Sequence, residues 1–180
     1  MNPLVMAKDL ANMVIAVNAT AHVSATAGGA GNNVAVTGLT IDRNTLQPYG
    51  AAAAVANAMP VGAVFLVNYE AALGAGNTLS VNAVKIEHSA DGSTWSTYVA
   101  QTAVVANINA DWPLAGVVDT GATGGSTQRG VVAFGTNLQG AMRYVRFDFT
   151  PDLSAASTDT ANIAVCAVLS GYGEVPVGAV

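Results

Sequence analysis

The sequence has little charge. Asp, Glu, Lys and Arg make up 9% of its 180 residues, against about 25% in ordinary soluble domains. The basic residues are Lys8, Arg43, Lys85, Arg129, Arg143 and Arg146, and they form no run. A nucleic-acid groove needs clustered Lys and Arg to displace counterions, so no nucleic-acid partner is expected. There is one cysteine, Cys166, which excludes an intrachain disulfide framework. Within "IAVCAVL" it reads as a small buried core residue. Long apolar runs are missing too: the chain is 52% hydrophobic, yet no stretch is long enough for a membrane-spanning helix. His22, His88 and the distant Cys166 have no zinc spacing. No acidic loop reads as a calcium loop, and "GATGGSTQ" lacks the lysine of a phosphate loop. No cofactor, no metal site and no catalytic residue is expected, and no membrane partner.

A free monomer of this composition, with net charge −5, has a weakly charged surface and poor colloidal stability. Coverage of that surface by other subunits would resolve the difficulty. The N-terminal "MNPLVMAKDLANMVIAVNATAHVSA" has the small residues and short apolar stretch of a signal peptide, but Asp9, Asn12 and Asn18 interrupt it.

What is present is the rhythm of an all-β domain. Turn signals such as "PYG", "LGAGN", "ADGS" and "SGYG" recur between short apolar segments. In "YVRFDFT", Tyr144–Thr150, Val145, Phe147 and Phe149 alternate with Arg146 and Asp148, which gives one buried and one exposed face. Pro151 is expected to end that strand, because it has no N–H for the ladder. Val84 and Ile86 alternate with Lys85 and Glu87, whereas Leu79 and Val81 keep the opposite phase. A bulge near Ala83 reconciles the two. Val61–Tyr69 and Asn162–Leu169 are apolar on both sides, as strands covered on both faces would be. "YGAAAAVANAMP" is the expected short helix, closed by Pro60, and Lys8–Val17 leans to helix. One domain, residues 1–180, is expected, with an N-terminal arm over about 1–30 and a short tail over about 171–180.

"KIEHSADGSTWSTY" places His88, Ser89 and Asp91 close together, but neighbouring strand residues point to opposite faces. "ADGS" is turn chemistry: Asp91 closes an Asx turn and Gly92 takes a positive φ. A hairpin is therefore expected, not a hydrolase triad. Trp112, beside a proline, is a contact anchor. Met6, Trp112, Arg129 and Tyr172 are the candidate assembly contacts. Trp95, Trp112 and Tyr172 would instead serve a carbohydrate-binding sandwich of a tail or fibre. "VVDTGATGG", Val117–Gly125, resembles the active-site loop of aspartic proteases, including the dimeric type, which implies paired Asp119 carboxylates sharing a proton. The supporting Gly-Arg segment of that family is absent, since Gly140 is followed by Ala141.

"LSVNAVKIEHSADGSTWSTY" and "RYVRFDFTPDLSAASTDTANIAVCAVLSGY" resemble segments of the capsid cement, or decoration, proteins of tailed bacteriophages. "VAVTGLTIDRNTLQPYG" is similar to their opening strand. The resemblance implies an all-β, jelly-roll-like antiparallel β-sandwich, to which the Ala-rich stretch adds the one short helix expected from its propensity. It also implies a structural virion protein on the capsid exterior, with no enzymatic role. Its partners would be the major capsid protein and further copies of itself, a trimer being favoured. The Ala-rich Ala51–Ala58 segment departs from that pattern.

Overall fold

The structure is a computed structural model and describes residues 14–45, 59–100, 116–155 and 158–172. The described residues form ten strands: β1 (Val14–Asn18), β2 (Val23–Thr26), β3 (Ile41–Asp42), β4 (Pro60–Leu73), β5 (Thr78–Ser89), β6 (Ser96–Ala100), β7 (Val117–Thr120), β8 (Ser126–Asn137), β9 (Tyr144–Leu153) and β10 (Thr160–Tyr172). They build two five-stranded sheets. The first runs β1-β10-β4-β8, with β2 also paired to β10. The second runs β3-β9-β5-β6, with β7 also paired to β5. All pairings are antiparallel.

The pairing is nested. The first strands pair with the last, β3 with β9, β4 with β8, and β5 with β6 and β7. A long antiparallel ribbon wrapped in this way, then joined through β10–β4 and β9–β5, is a jelly roll. The fold expectation therefore holds as an all-β jelly-roll sandwich. The short helix expected at 49–60 falls almost wholly outside the described residues, and so do Met6, Trp112 and residues 8–13. Residues 14–17, expected as helix, are strand. Here Ile15 and Val17 turn towards the core beside Leu169 and Ala167, which decides the period in favour of two. Residues 14–26 of the stretch read as an arm contribute two strands.

Period-two alternation fills the space between the sheets. Ala63, Phe65 and Val67 of β4 face Val145, Phe147 and Phe149 of β9 across it, all buried. The Phe65 and Phe147 rings stack at 4.8 Å between centroids, a contact worth about 0.5–1.5 kcal/mol beyond area burial. On β5, Leu79, Val81, Val84 and Ile86 are all buried. The change of phase is met by a break in register between Asn82 and Lys85, with Ala83 at φ 48°. This is the bulge expected near Ala83.

Pro151 does not end β9, which continues to Leu153. In an antiparallel strand a residue's N and O point to the same side. The Pro151 carbonyl accepts from Asn33 N–H, so its missing N–H lies on the side of the 32–36 segment. The ladder to β5 needs no donor there. Arg43 is the other polar feature of the core rim. It is 1% exposed, and its guanidinium donates five hydrogen bonds to the carbonyls of Pro60, Leu138, Ala141 and Met142. Burial lowers its pKa from the usual arginine value. The residue following β3 of the second sheet is thus tied to the start of β4 in the first.

Candidate functional site

A jelly roll turns two outer faces to its surroundings, and here they differ chemically. On the first sheet, register brings the outward residues into rows. Ala16, Val168, Val64 and Gly135 form one row, and Asn18, Cys166, Leu66 and Ala133 the next. Val64 is 36% exposed and Val131, on the neighbouring row, is 58% exposed. The β4 and β10 segments expected to be apolar on both sides are so, with the inward side buried and the outward side half exposed. Cys166 is on this outer face and half exposed, not in the core where its sequence context placed it. Towards the other end of the face, Arg129 donates to Glu70 at 2.7 Å. His22, Asn68, Glu70, Arg129 and Asn162 line a shallow cleft of about 370 Å³ there.

The outer face of the second sheet carries charge in bonded form. Cross-strand register sets Lys85 beside Asp148 and Glu87 beside Arg146. Glu87 accepts from both Lys85 and Arg146. Asp148 lies 3.4 Å from Lys85 and 3.6 Å from Arg146, and it also accepts from Gly38 N–H. Both acids are almost buried, Glu87 at 7% and Asp148 at 5% exposure. Burial alone would raise the Glu87 pKa, but the hydrogen bonds from Lys85 and Arg146 outweigh it and hold the carboxyl below its ordinary value. The same contact, led by the Glu87 hydrogen bond, raises the Lys85 pKa. Arg146 stacks over the Trp95 ring at 4.3 Å, and Arg143 over Tyr144 at 4.8 Å. Arg143 also pairs with Asp42, at 2.6 Å. One face of the Trp95 ring is therefore taken by a guanidinium.

The structure separates the other residues singled out in the sequence. Ser93 N–H and Thr94 N–H both donate to Asp91 at 2.8 Å, and Gly92 has φ 76°. Ser89 Oγ donates to Asp91 and accepts from Gly92 N–H. These bonds close the β5–β6 turn and leave Ser89 engaged with the backbone. They also lower the Asp91 pKa, the Thr94 and Ser93 amides first. His88 accepts from Met142 N–H at 3.3 Å and packs against Tyr98. Asp119, on β7, accepts from the Tyr69 hydroxyl at 2.8 Å and from its neighbour Thr120 N–H. Gly130 leaves room for that hydroxyl, since a Cβ there would collide with it. Burial first, then the Asp119 carboxylate, pushes the Tyr69 pKa up to about 12. Arg129 lies on the first face and Tyr172 ends β10. Of the residues not singled out as sites, Arg43 and Tyr69 tie one sheet to the other. Neither gave a signal, because their partners are carbonyls or residues about fifty positions away.

No family model matches the chain, and no curated protein matches it. Solved structures do. The T13 particle of infectious bursal disease virus aligns at TM-score 0.44 with 10% identity, over 91% of this chain and 32% of that one. The Gx strain of infectious bursal disease virus aligns at TM-score 0.45 with 9% identity, over 89% and 32%. The VP2 subviral particle of that virus aligns at TM-score 0.43 with 10% identity, over 91% and 34%. The chain spans about a third of the length of these solved chains. Its jelly-roll assignment rests on its own strand order.

Proposed function

We propose that the chain is a structural virion protein: a capsid cement or decoration protein that binds the outside of a bacteriophage shell and stabilises it. Its partners in this reading are the major capsid protein and further copies of itself. The observation that carries the reading is the polarity of the sandwich. One outer face has an apolar region around Val64, Leu66, Cys166 and Val168, with the Glu70–Arg129 pair towards its other end, whereas on the other face the cations and acids neutralise one another. A side that gains from contact, backed by a side at ease in water, is what a protein needs to lie flat against a larger assembly. The resemblance to phage cement proteins gives the reading its particular form.

The mechanism would be added contact area. Each copy bridges neighbouring capsomers, and many modest contacts hold once geometry is fixed. Apolar burial should survive salt, because screening acts on charges. The test is to prepare particles with and without the protein and heat them at low and high salt. Decorated particles are expected to release DNA at a higher temperature in both. Equal release temperatures would refute the cement role. Wash-off by salt alone would refute the apolar mode of attachment.

A further inference from the structure

We propose that the free edge of β8 is a self-association site, where a second copy of this chain adds its own β8 antiparallel about a two-fold axis and the first sheets of the two copies become one. This goes beyond the reading above and does not depend on capsid binding.

The sheet edges are not alike. An exposed edge offers unpaired N–H and C=O groups to any passing strand, and proteins blunt such edges with short strands and bulges. Three of the four edges here are blunted in this way. β3 has two residues. β6 and β7 have five and four, and each pairs with β5 through a break in register. β1 and β2, five and four residues long, divide the far edge of the first sheet between them. β8 is the exception. It runs for twelve residues without proline or lysine, and its register with β4 is unbroken.

Its free groups can be assigned. Leu138 N–H donates to the Val61 carbonyl, so every second residue back from Leu138 bonds towards β4. The residues between turn their N–H and C=O away. They are Thr127, Arg129, Val131, Ala133, Gly135 and Asn137. The Asn137 carbonyl accepts from the Tyr98 hydroxyl, and the other five have no partner for these groups among the described residues.

Those five residues match their own copy. They are centred on Val131, and an antiparallel pair about that residue joins Thr127 to Gly135, Arg129 to Ala133 and Val131 to Val131. Every free N–H of one copy then meets a free C=O of the other. Each bulky side chain faces a small one. Val131, 58% exposed in the single chain, meets itself, and β-branched pairs of this kind favour a sheet. Arg129 does not meet Arg129: the two stand about 14 Å apart along the strands, beyond the screening length of about 8–10 Å. The two copies lie side by side, so the outer faces of their first sheets stay open together. A contact of this kind is isologous and closes after two copies, in contrast to the trimer favoured from the sequence.

The test uses the full chain. Sedimentation equilibrium up to several hundred micromolar should show a monomer–dimer equilibrium. Because Val131 meets its own copy, Val131→Lys and Val131→Glu each set like charges directly opposite and should weaken dimerisation about 10-fold or more. Mixed in equal amounts, they set opposite charges there and should restore a dimer at least as tight as that of the wild type. The side chain is exposed, so circular dichroism and Tm should match the wild type for both. A wild type that stays monomeric overturns the proposal and leaves the particle-heating test untouched. A dimer that either variant leaves unchanged also overturns it and places the contact elsewhere. So does a mixture that stays monomeric. Should either variant misfold, Val131→Cys in a Cys166→Ser chain replaces both. Paired Cα atoms about 5.5 Å apart suit a disulfide, so this chain should oxidise to a linked pair, whereas Thr127→Cys in the same background should not. Equal oxidation of the two, or oxidation of neither, overturns the proposal.

Discussion

The two outer faces are built on the same backbone pattern and have opposite chemistry. On both sheets every second residue points into one shared core, and the inward residues are interchangeable in kind: Val, Phe, Leu, Ile and Ala. The outward residues are not. On β4 and β10 they include Val64, Leu66, Cys166 and Val168, whereas on β5 and β9 they are Lys85, Glu87, Arg146 and Asp148. Inward residues decide that the chain folds as a sandwich. Outward residues decide what each side can touch. The second face shows how charge can be present without making a field, since two cations and two acids saturate each other. The first face is divided: the Glu70–Arg129 pair and Asn68 and Asn162 lie towards one end, and Val64, Leu66, Cys166 and Val168 make the other end apolar.

The strongest way to break this contrast is to remove what holds the sheets in place behind both faces. Arg43 links the end of β3 to the start of β4, and among the described residues no carboxylate pairs with it; carbonyl dipoles do. Arg43→Met would leave those buried carbonyls without donors. The expected cost is about 3–5 kcal/mol, or a fall in Tm on the order of 10 °C for a chain of this size. Calorimetry checks it. A loss under about 1 kcal/mol would mean that water replaces the guanidinium and that the tie is not structural.

A narrower cut affects the second face alone. Glu87→Gln removes the acid shared by Lys85 and Arg146, and the expected loss at neutral pH is about 1–3 kcal/mol. The pH dependence has a definite sign. The folded Glu87 pKa lies below its ordinary 4.5, so its stabilisation is fully present above about that pH and is lost as pH falls through the lower folded value. Lys85 runs the other way. Its raised pKa stabilises the fold below its ordinary 10.5, and that part is lost as pH rises through the folded value. Urea titrations from pH 7 to pH 3 should show the wild type and Glu87→Gln converging at the acid end. A constant gap across the range would show that Glu87 acts by packing instead of charge.

How much of this was legible in the sequence depends on the range over which each signal acts. Alternation in "YVRFDFT" acts over two residues, and it gave both the strand and its charged face. The clash of phase between Leu79–Val81 and Val84–Ile86 gave the bulge at Ala83 for the same reason. Apolarity on both sides of Val61–Tyr69 and Asn162–Leu169 marked the first face. Pro151 misled because its effect depends on which neighbour its nitrogen faces, and that is set by Asn33, far away in the chain. Cys166 misled because a continuous apolar run does not say which side is inward. Arg43 in "TIDRNT" gave no signal of its role; its carbonyl partners lie up to about a hundred residues away and carry no side-chain signature.

The finest test concerns a second tie between the sheets, towards the far end of β4, where Tyr69 of the first sheet donates to Asp119 of the second. Tyr69→Phe should cost about 1–2 kcal/mol, because it removes the one hydroxyl proton, which is donated to a charged acceptor with the Val118 carbonyl also within reach. Asp119→Asn should cost less, about 0.5–1 kcal/mol, since the amide keeps one oxygen for the hydroxyl. The pair of variants also separates two roles for the Asp-Thr-Gly turn. If Asp119 is a tie, Asp119→Asn is the milder change, and particle stability and self-association survive it. If Asp119 is half of a shared-proton dyad, Asp119→Asn abolishes a peptidase activity that Tyr69→Phe only perturbs. In this structure the Asp119 carboxylate is engaged on one oxygen by Tyr69 and on the other by Thr120 N–H. The expected outcome is therefore a small stability loss with no peptide cleaved by the wild type or by either variant. Cleavage by the wild type that Asp119→Asn removes would reverse the assignment.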